Sequence, residues 1–334
     1  MEPPAPNTSF SHTYFTLCGF PGIVQSRRAL FLPFFSMYMI LVISNGVMIY
    51  TIWLEKTLHS PMYTLIALLF AGNLSYTTAI MPRFLLELTF DLNQITLTGC
   101  LLQMFVVYLT GACQSSLLVL MALDRYVAVI MPLRYHRIVT KRALVLLVLI
   151  GWTRSLLLIS PIILVASEVQ FCRSNIIFSF ACEYMSLLNL ACGDTTKVQV
   201  VGLWPRVLIT VIDGTIILVS YVKVLSAVRM VLDGRASDKA WQTCSTQLLV
   251  GVLMTVSGMC TSIVYRLSSL VSYDVQNLVS LINFVIPSSA DPIIYGLKMR
   301  EIRNSLKKIY GRRHCGACAS NTQTEGVLRR PMGH

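Results

Sequence analysis

Long apolar runs separated by short polar breaks dominate this chain. A stretch of about 20 predominantly apolar residues crosses the hydrocarbon core of a bilayer as a helix. Seven such stretches are predicted, at 29–54, 61–85, 97–131, 142–165, 199–229, 240–265 and 276–297. Seven crossings place the two ends of the chain on opposite sides. The connections are short apart from 166–198, which is long enough to fold over an opening. Residues 298–310 follow another pattern: Met299, Ile302, Leu306 and Ile309 fall on one helical face with bases on the other, as in a helix lying on a membrane surface. Residues 311–334 are polar and read as a disordered tail. No internal repeat divides the chain. The expected fold is therefore all-α and integral to the membrane: a tail at 1–28, one seven-helix bundle at 29–297, a short amphipathic eighth helix at 298–310 and a tail at 311–334.

Composition agrees, since 55% of the 334 residues are hydrophobic and 13% charged, a balance that no water-soluble domain could bury. The charges give an orientation. Arg134, Arg137, Lys141 and Arg142 follow the third span, and Lys298, Arg300, Arg303, Lys307, Lys308, Arg312 and Arg313 follow the seventh against Glu301 alone. The connection after the second span instead carries Glu87 and Asp91. Positive charge at span ends favours the cytoplasm, so the N-terminus is expected outside, the C-terminus inside, and the protein in the plasma membrane. This placement accounts for the net charge of +12 without a nucleic-acid partner. The first 28 residues lack the basic start, apolar core and cleavage site of a removable signal, so the first span is expected to act as its own insertion signal.

Asn7-Thr8-Ser9 forms a glycosylation acceptor in the outward tail. Cys100 sits at the outer end of the third span, and Cys172, Cys182 and Cys192 lie in the long loop; four cysteines facing an oxidising compartment suggest two bridges, with three connectivities open. Cys18 is left over. Cys315 and Cys318, inside and just past a basic stretch, are candidates for palmitoylation or plain tail thiols.

The third span closes with Asp124-Arg125-Tyr126. A boundary arginine beside an acid is a functional candidate, with a snorkelling anchor as the simpler alternative. This string does not stand alone. Leu58-His59-Ser60-Pro61-Met62-Tyr63, Met121-Ala-Leu-Asp-Arg-Tyr126, Ser220-Tyr221, Lys239-Ala240 with Thr243-Cys244, and Pro292-Ile293-Ile294-Tyr295-Gly296 occur in order on their spans. Over about residues 20–310 the chain resembles the odorant receptors, rhodopsin-like G-protein-coupled receptors, and within them the class I branch.

The resemblance implies bridges Cys100–Cys182 and Cys172–Cys192. It implies coupling through Asp124, Arg125, Tyr126, Tyr221 and Tyr295 to a heterotrimeric G protein of the stimulatory olfactory type, raising cyclic AMP. It also implies an odorant site at Arg266 and Ser262, with Tyr108, Met185 and Gly202 around the same cavity. The pair Arg266 and Ser262 lies four residues apart and so can share a helix face, and a guanidinium fork suits a carboxylate. A small, water-soluble acidic odorant is the expected ligand, with Asp213 structural or switch-related.

Several positions depart from the family. Asn73 stands where relatives carry Asp and Asp291 where they carry Asn, as if exchanged; with Asn45 they would form a polar cluster holding sodium, a proton, or hydrogen bonds alone. Gln247 replaces a family His and Ile130 a Cys. Thr255 and Ser257 replace a Tyr and a Pro, removing a kink point from the sixth span and leaving its resting shape open. The rival readings are a membrane enzyme or transporter, for which neither paired intramembrane acids nor repeated halves are present, and a rhodopsin-like receptor for a lipid or peptide messenger. No cofactor is implied, and lipid is the surrounding partner.

Overall fold

A computed structural model describes residues 12–231, 235–268 and 270–309. Asn7, Cys315 and Cys318 lie outside these residues. The helices are α1 (Phe31–Leu54), α2 (Pro61–Thr78), α3 (Met81–Phe90), α4 (Leu97–Ile130), α5 (Tyr135–Ile138), α6 (Lys141–Ser167), α7 (Tyr184–Leu188), α8 (Thr196–Val231), α9 (Arg235–Arg266) and α10 (Tyr273–Lys298). Three short strands accompany them: β1 (Tyr14–Leu17), β2 (Gln94–Thr96) and β3 (Ile176–Ile177). Seven helical segments, α1, α2 with α3, α4, α6, α8, α9 and α10, are long and apolar enough to cross a membrane. Their outward faces carry residues such as Leu157 and Leu164, exposed yet apolar, as lipid requires.

Local chemistry sets the helix ends. Thr96 caps α4 by accepting from the Gly99 N–H at 3.0 Å, and Thr140 caps α6 by accepting from Ala143 at 3.2 Å; such caps typically contribute about 0.5–2 kcal/mol. The second span breaks between Thr78 and Met81 because Pro82 has no N–H for the preceding turn. The Ala79 carbonyl at the break accepts from Gln103 Nε2 of α4 at 2.9 Å. The same Gln103 receives the Cys182 N–H on its Oε1 at 2.9 Å, so one side chain serves the break and the loop above it.

Two corrections to the sequence reading arise at the end of the bundle that carries the N-terminus. The tail is not merely a leader to the first span: β1 pairs antiparallel with β2 (Phe15↔Ile95) and parallel with β3 (Thr16↔Ile176). Its two-residue alternation buries Phe15 and Leu17 while Tyr14 faces out. Glu87 is also not a loop acid. It lies buried within α3 and accepts the Gly19 N–H at 3.3 Å, tying the tail to the second span. Disulfides Cys100–Cys182 and Cys172–Cys192, with Cα separations of 5.4 and 5.5 Å, pin the long loop across this roofed end.

At the opposite, basic end the chain turns at Met299 and is helical again over 300–309. The apolar face expected to meet a membrane surface instead packs partly on the bundle. Met299 and Ile302 are buried with Met62, Tyr63 and Tyr295, Leu306 lies against the same cluster, and Lys308 pairs with Glu55 at 2.9 Å. Burying Met299 and Ile302 against the helices removes apolar surface from water, which favours docking.

Mid-bundle, Arg154 of α6 makes a two-pronged ion pair with Asp213 of α8 at 2.5 and 2.8 Å; Ser115 of α4 adds a bond to Asp213 at 2.6 Å and Ser116 accepts from Arg154 at 3.0 Å. Asp213 is thus structural, holding three helices through one carboxylate. Removing one member of such a pair typically costs about 3–5 kcal/mol, whereas replacing both by apolar residues is often tolerated. Arg154→Ala alone should therefore sharply lower surface expression and melting temperature, and Arg154→Leu with Asp213→Leu should recover much of both, read by surface labelling and thermal denaturation in detergent.

Candidate ligand cavity and polar switch positions

Beneath the roof lies a cavity of about 520 Å³ between α4, α8, α9 and α10, large enough for a small organic molecule. Tyr108, Met185, Gly202, Ser262 and Arg266 all line it. Their convergence has local causes. Cys182 is tethered to Cys100, so the following residues, Glu183 to Met185, must run across the top of the bundle. Gly202 is where α8 passes Tyr184, and a Cβ there would collide with the tyrosine ring. Ser262 and Arg266 sit one turn apart on α9. Arg266 donates from Nη2 to the Gln199 carbonyl at 3.3 Å and leaves its buried Nε without a hydrogen-bond partner.

Three charged residues of this region escaped the sequence reading. Glu183 caps α7 by accepting from Met185 N–H at 2.7 Å and also accepts from the Tyr108 hydroxyl at 3.2 Å. Burial pushes its carboxyl above the ordinary glutamate range, against the opposing pull of the Met185 and Ser186 N–H groups, Tyr108 and Arg266. Arg206 of α8 also lines the cavity. Arg154, the partner of Asp213, is the third. A lone charge inside each apolar run was the available signal for the two arginines; for Glu183 it was adjacency to a bridged cysteine.

Below the cavity, Asn73 and Asp291 do meet. Asn73 Nδ2 donates to Asp291 Oδ2 at 2.9 Å and to Asn45 Oδ1 at 3.2 Å, and Gln114 Nε2 donates to Asn73 Oδ1 at 2.7 Å. Asn45 closes the group by donating to the Ser288 carbonyl at 3.0 Å. Asp291 Oδ1 is buried with no hydrogen-bond partner, the one orphan a small cation or a proton would satisfy; the amide oxygens of Asn45 and Asn73 already accept bonds. Among the described residues no group of three or more His, Cys, Asp or Glu side chains is arranged to hold a metal ion.

At the basic end Asp124 pairs with Arg125 at 3.2 Å and accepts from the Tyr135 hydroxyl at 2.8 Å. Tyr126 packs beside Tyr221 and Val224, with Lys223 Nζ 5.9 Å from its ring centre. Tyr221 donates to Gln247 Oε1 of α9, and the buried Tyr295 hydroxyl has no hydrogen-bond partner. Gln247 thus ties α8 to α9 by a hydrogen bond. No proline lies in α9, which runs as one helix through Thr255 and Ser257. Ile130 ends α4 facing outward.

A profile described as olfactory receptor matches residues 34–313. Human olfactory receptor 52N2 is 33% identical over 306 residues, covering 90% of this chain and 94% of that protein. Rat olfactory receptor 51E2 is 30% identical over 302 residues (90% and 94%), and human olfactory receptor 52B6 is 33% identical over 296 residues (88% and 88%). The chain belongs to the olfactory receptor family. The protein is accordingly a multi-pass membrane receptor of the G-protein-coupled class and not an enzyme.

The contact between Asn73 and Asp291 makes a prediction for this receptor. In Asn73→Asp two carboxylates would share one buried site and repel. The single change should therefore damage surface expression or signalling, while adding Asp291→Asn should restore much of the loss, as coupled neighbours do. Strictly additive damage in this double-mutant cycle would show that the two positions act independently.

Proposed function

We propose that this receptor binds a small, acid-bearing odorant in the roofed cavity and activates a stimulatory olfactory-type G protein to raise cyclic AMP. The N-terminus is extracellular and the C-terminus cytoplasmic, because the arginines and lysines cluster at the basic end. The observation that carries the reading is the cavity itself: about 520 Å³, closed above by a disulfide-pinned loop, and bearing Arg266 and Ser262 on one wall. A roof held across the opening favours a small ligand over a peptide messenger.

In this reading Arg266 meets the ligand carboxylate and Ser262 supports it, while Tyr108, Met185 and Gly202 shape the pocket. A ligand favours the signalling state only by binding it more tightly than the resting one. Bound ligand would bias α9 outward at the basic end, break the Tyr221–Gln247 link and release Arg125 to meet the G protein, with Tyr126, Tyr221 and Tyr295 packing around it. Asp291, with Asn45 and Asn73, holds a proton or sodium in the resting state. Glycosylation at Asn7 and palmitoylation at Cys315 and Cys318 complete the proposal.

Truncating one partner of a desolvated ion pair costs about 2–5 kcal/mol, or roughly thirtyfold or more in affinity. In cells reporting cyclic AMP, Arg266→Ala should weaken the response to a carboxylic odorant by at least about that factor. Arg266→Lys should recover part of it and Ser262→Ala should lose less, while methyl esters should be weak agonists indifferent to all three. Arg125→Ala should abolish signalling with ligand occupancy nearly unchanged. Equal potency of acids and esters would remove the carboxylate anchor, and full signalling by Arg125→Ala would remove the coupling role.

A further inference from the structure

Of the charged side chains on the cavity wall, Asp213 is already held by Arg154. That leaves one acid, Glu183, against two arginines, Arg206 and Arg266. Glu183 lies within electrostatic reach of Arg266, and Arg266 also donates to the Gln199 carbonyl. Arg206 has no comparable neutralisation. Among the described residues its guanidinium makes no hydrogen bond or ion pair. The polar groups within its reach include the hydroxyls of Tyr76 and Tyr108, which carry no charge to offset it. Arg206 is exposed at the cavity wall within a membrane-spanning helix, and a cation at that depth without a carboxylate marks a functional candidate.

The guanidinium has a defined seat. It crosses from α8 to α9 at Gly258, where a Cβ would collide with its Nη2 and crowd its Cζ. Glycine inside a helix is less favourable than alanine, and here its missing side chain is what admits the arginine head. Gly258, Ser262 and Arg266 are spaced by four residues and so share one face of α9. At about 1.5 Å of rise per residue, Gly258 lies about 12 Å below Arg266 along the helix axis, less the backward lean of the Arg266 side chain. The wall there includes Val107 and Ile209, which suit a methylene chain.

We propose that Arg206, seated against Gly258, is a second anion-binding position deeper in the cavity than Arg266, and that the matching ligand is a flexible chain acidic at both ends, an α,ω-dicarboxylate. This deepens, and rests on, the reading of the cavity as an odorant site. Each end would meet a forked donor, and charge-assisted bonds of this kind are stronger than neutral ones. Neither arginine alone distinguishes a diacid from its half-ester; the two together do.

The test uses the full-length receptor with surface expression measured in parallel, and nonanedioate, its mono-methyl ester and nonanoate as probes. Wild type should respond to nonanedioate at a concentration at least about tenfold lower than to the half-ester. Arg206→Gln should raise the diacid requirement to that of the half-ester while leaving the half-ester within a few fold. Gly258→Ala keeps the charge, removes its seat and improves helix propensity, so it should reproduce the loss without impairing folding. Equal potency of diacid and half-ester on wild type, or a diacid preference that survives both substitutions, overturns the proposal. Thermal stabilisation of the purified receptor by nonanedioate separates binding from signalling. A shift abolished by Arg206→Gln without any cyclic AMP response would keep the anion position and remove the signalling reading. Cyclic AMP responses to neutral odorants with no Arg206-dependent shift would do the reverse.

Discussion

Hydrocarbon offers no hydrogen-bond partner, and this constraint organises every polar group in the bundle. Polar side chains gather into tiers facing one another across the helices. Glu183, Arg206 and Arg266 surround the cavity; Arg154 and Asp213 lock with Ser115 and Ser116; Asn45, Asn73, Gln114 and Asp291 form the next group; Asp124 and Arg125 close the basic end. The two middle tiers each join three or more spans, so satisfying their polar groups also fixes which helices are neighbours. Buried polar atoms without a hydrogen-bond partner occur throughout the tiers, among them Asp291 Oδ1, Arg266 Nε, Arg125 Nε and Arg154 Nε. The Arg154–Asp213 tier is tied by two hydrogen bonds between one guanidinium and one carboxylate.

The roof shows the same economy applied outside the membrane-spanning helices. A loop of this length, joined only at its ends, would carry many conformations. Two disulfides, the Gln103 bond to Cys182 N–H and pairing with β1 reduce them. Phe180 is then driven into an aromatic cluster with Phe20 and Phe84, and Asn277 of α10 accepts from the Phe180 N–H and donates to the Phe178 carbonyl. The tail therefore contributes to the cavity indirectly, by holding in place the segment that covers it.

Shape changes of α9 must be governed by contacts rather than by a built-in bend, since no proline interrupts it. Its restraints are the Tyr221–Gln247 bond at the basic end and the Tyr265 hydroxyl at the roofed end, which meets Ser179 and Ser280. Between them Gly258 leaves α9 open to Arg206. The helix is thus held by hydrogen bonds near both ends, with Gly258 between them facing the cavity.

The seven spans were legible from the sequence because apolar length alone decides whether a helix can cross a bilayer, and the order of the motifs was enough to resemble a receptor family. The cavity residues Arg266 and Ser262 were named by the family resemblance, and helical spacing added only that they can share a face. Other features depend on where distant segments meet, which no local pattern encodes. Glu87 reads as a loop acid until the tail folds back to it, and the β1 strand exists only because β2 and β3 lie alongside. Arg154 needs Asp213 from another helix, and Arg206 gains its meaning from a glycine on α9. Linear sequence determined what the membrane demands of each segment, since that is a property of composition. Only the tertiary structure decided which charges are neutralised and which face the cavity unpaired, because that balance is set by pairwise distances between residues far apart in the chain.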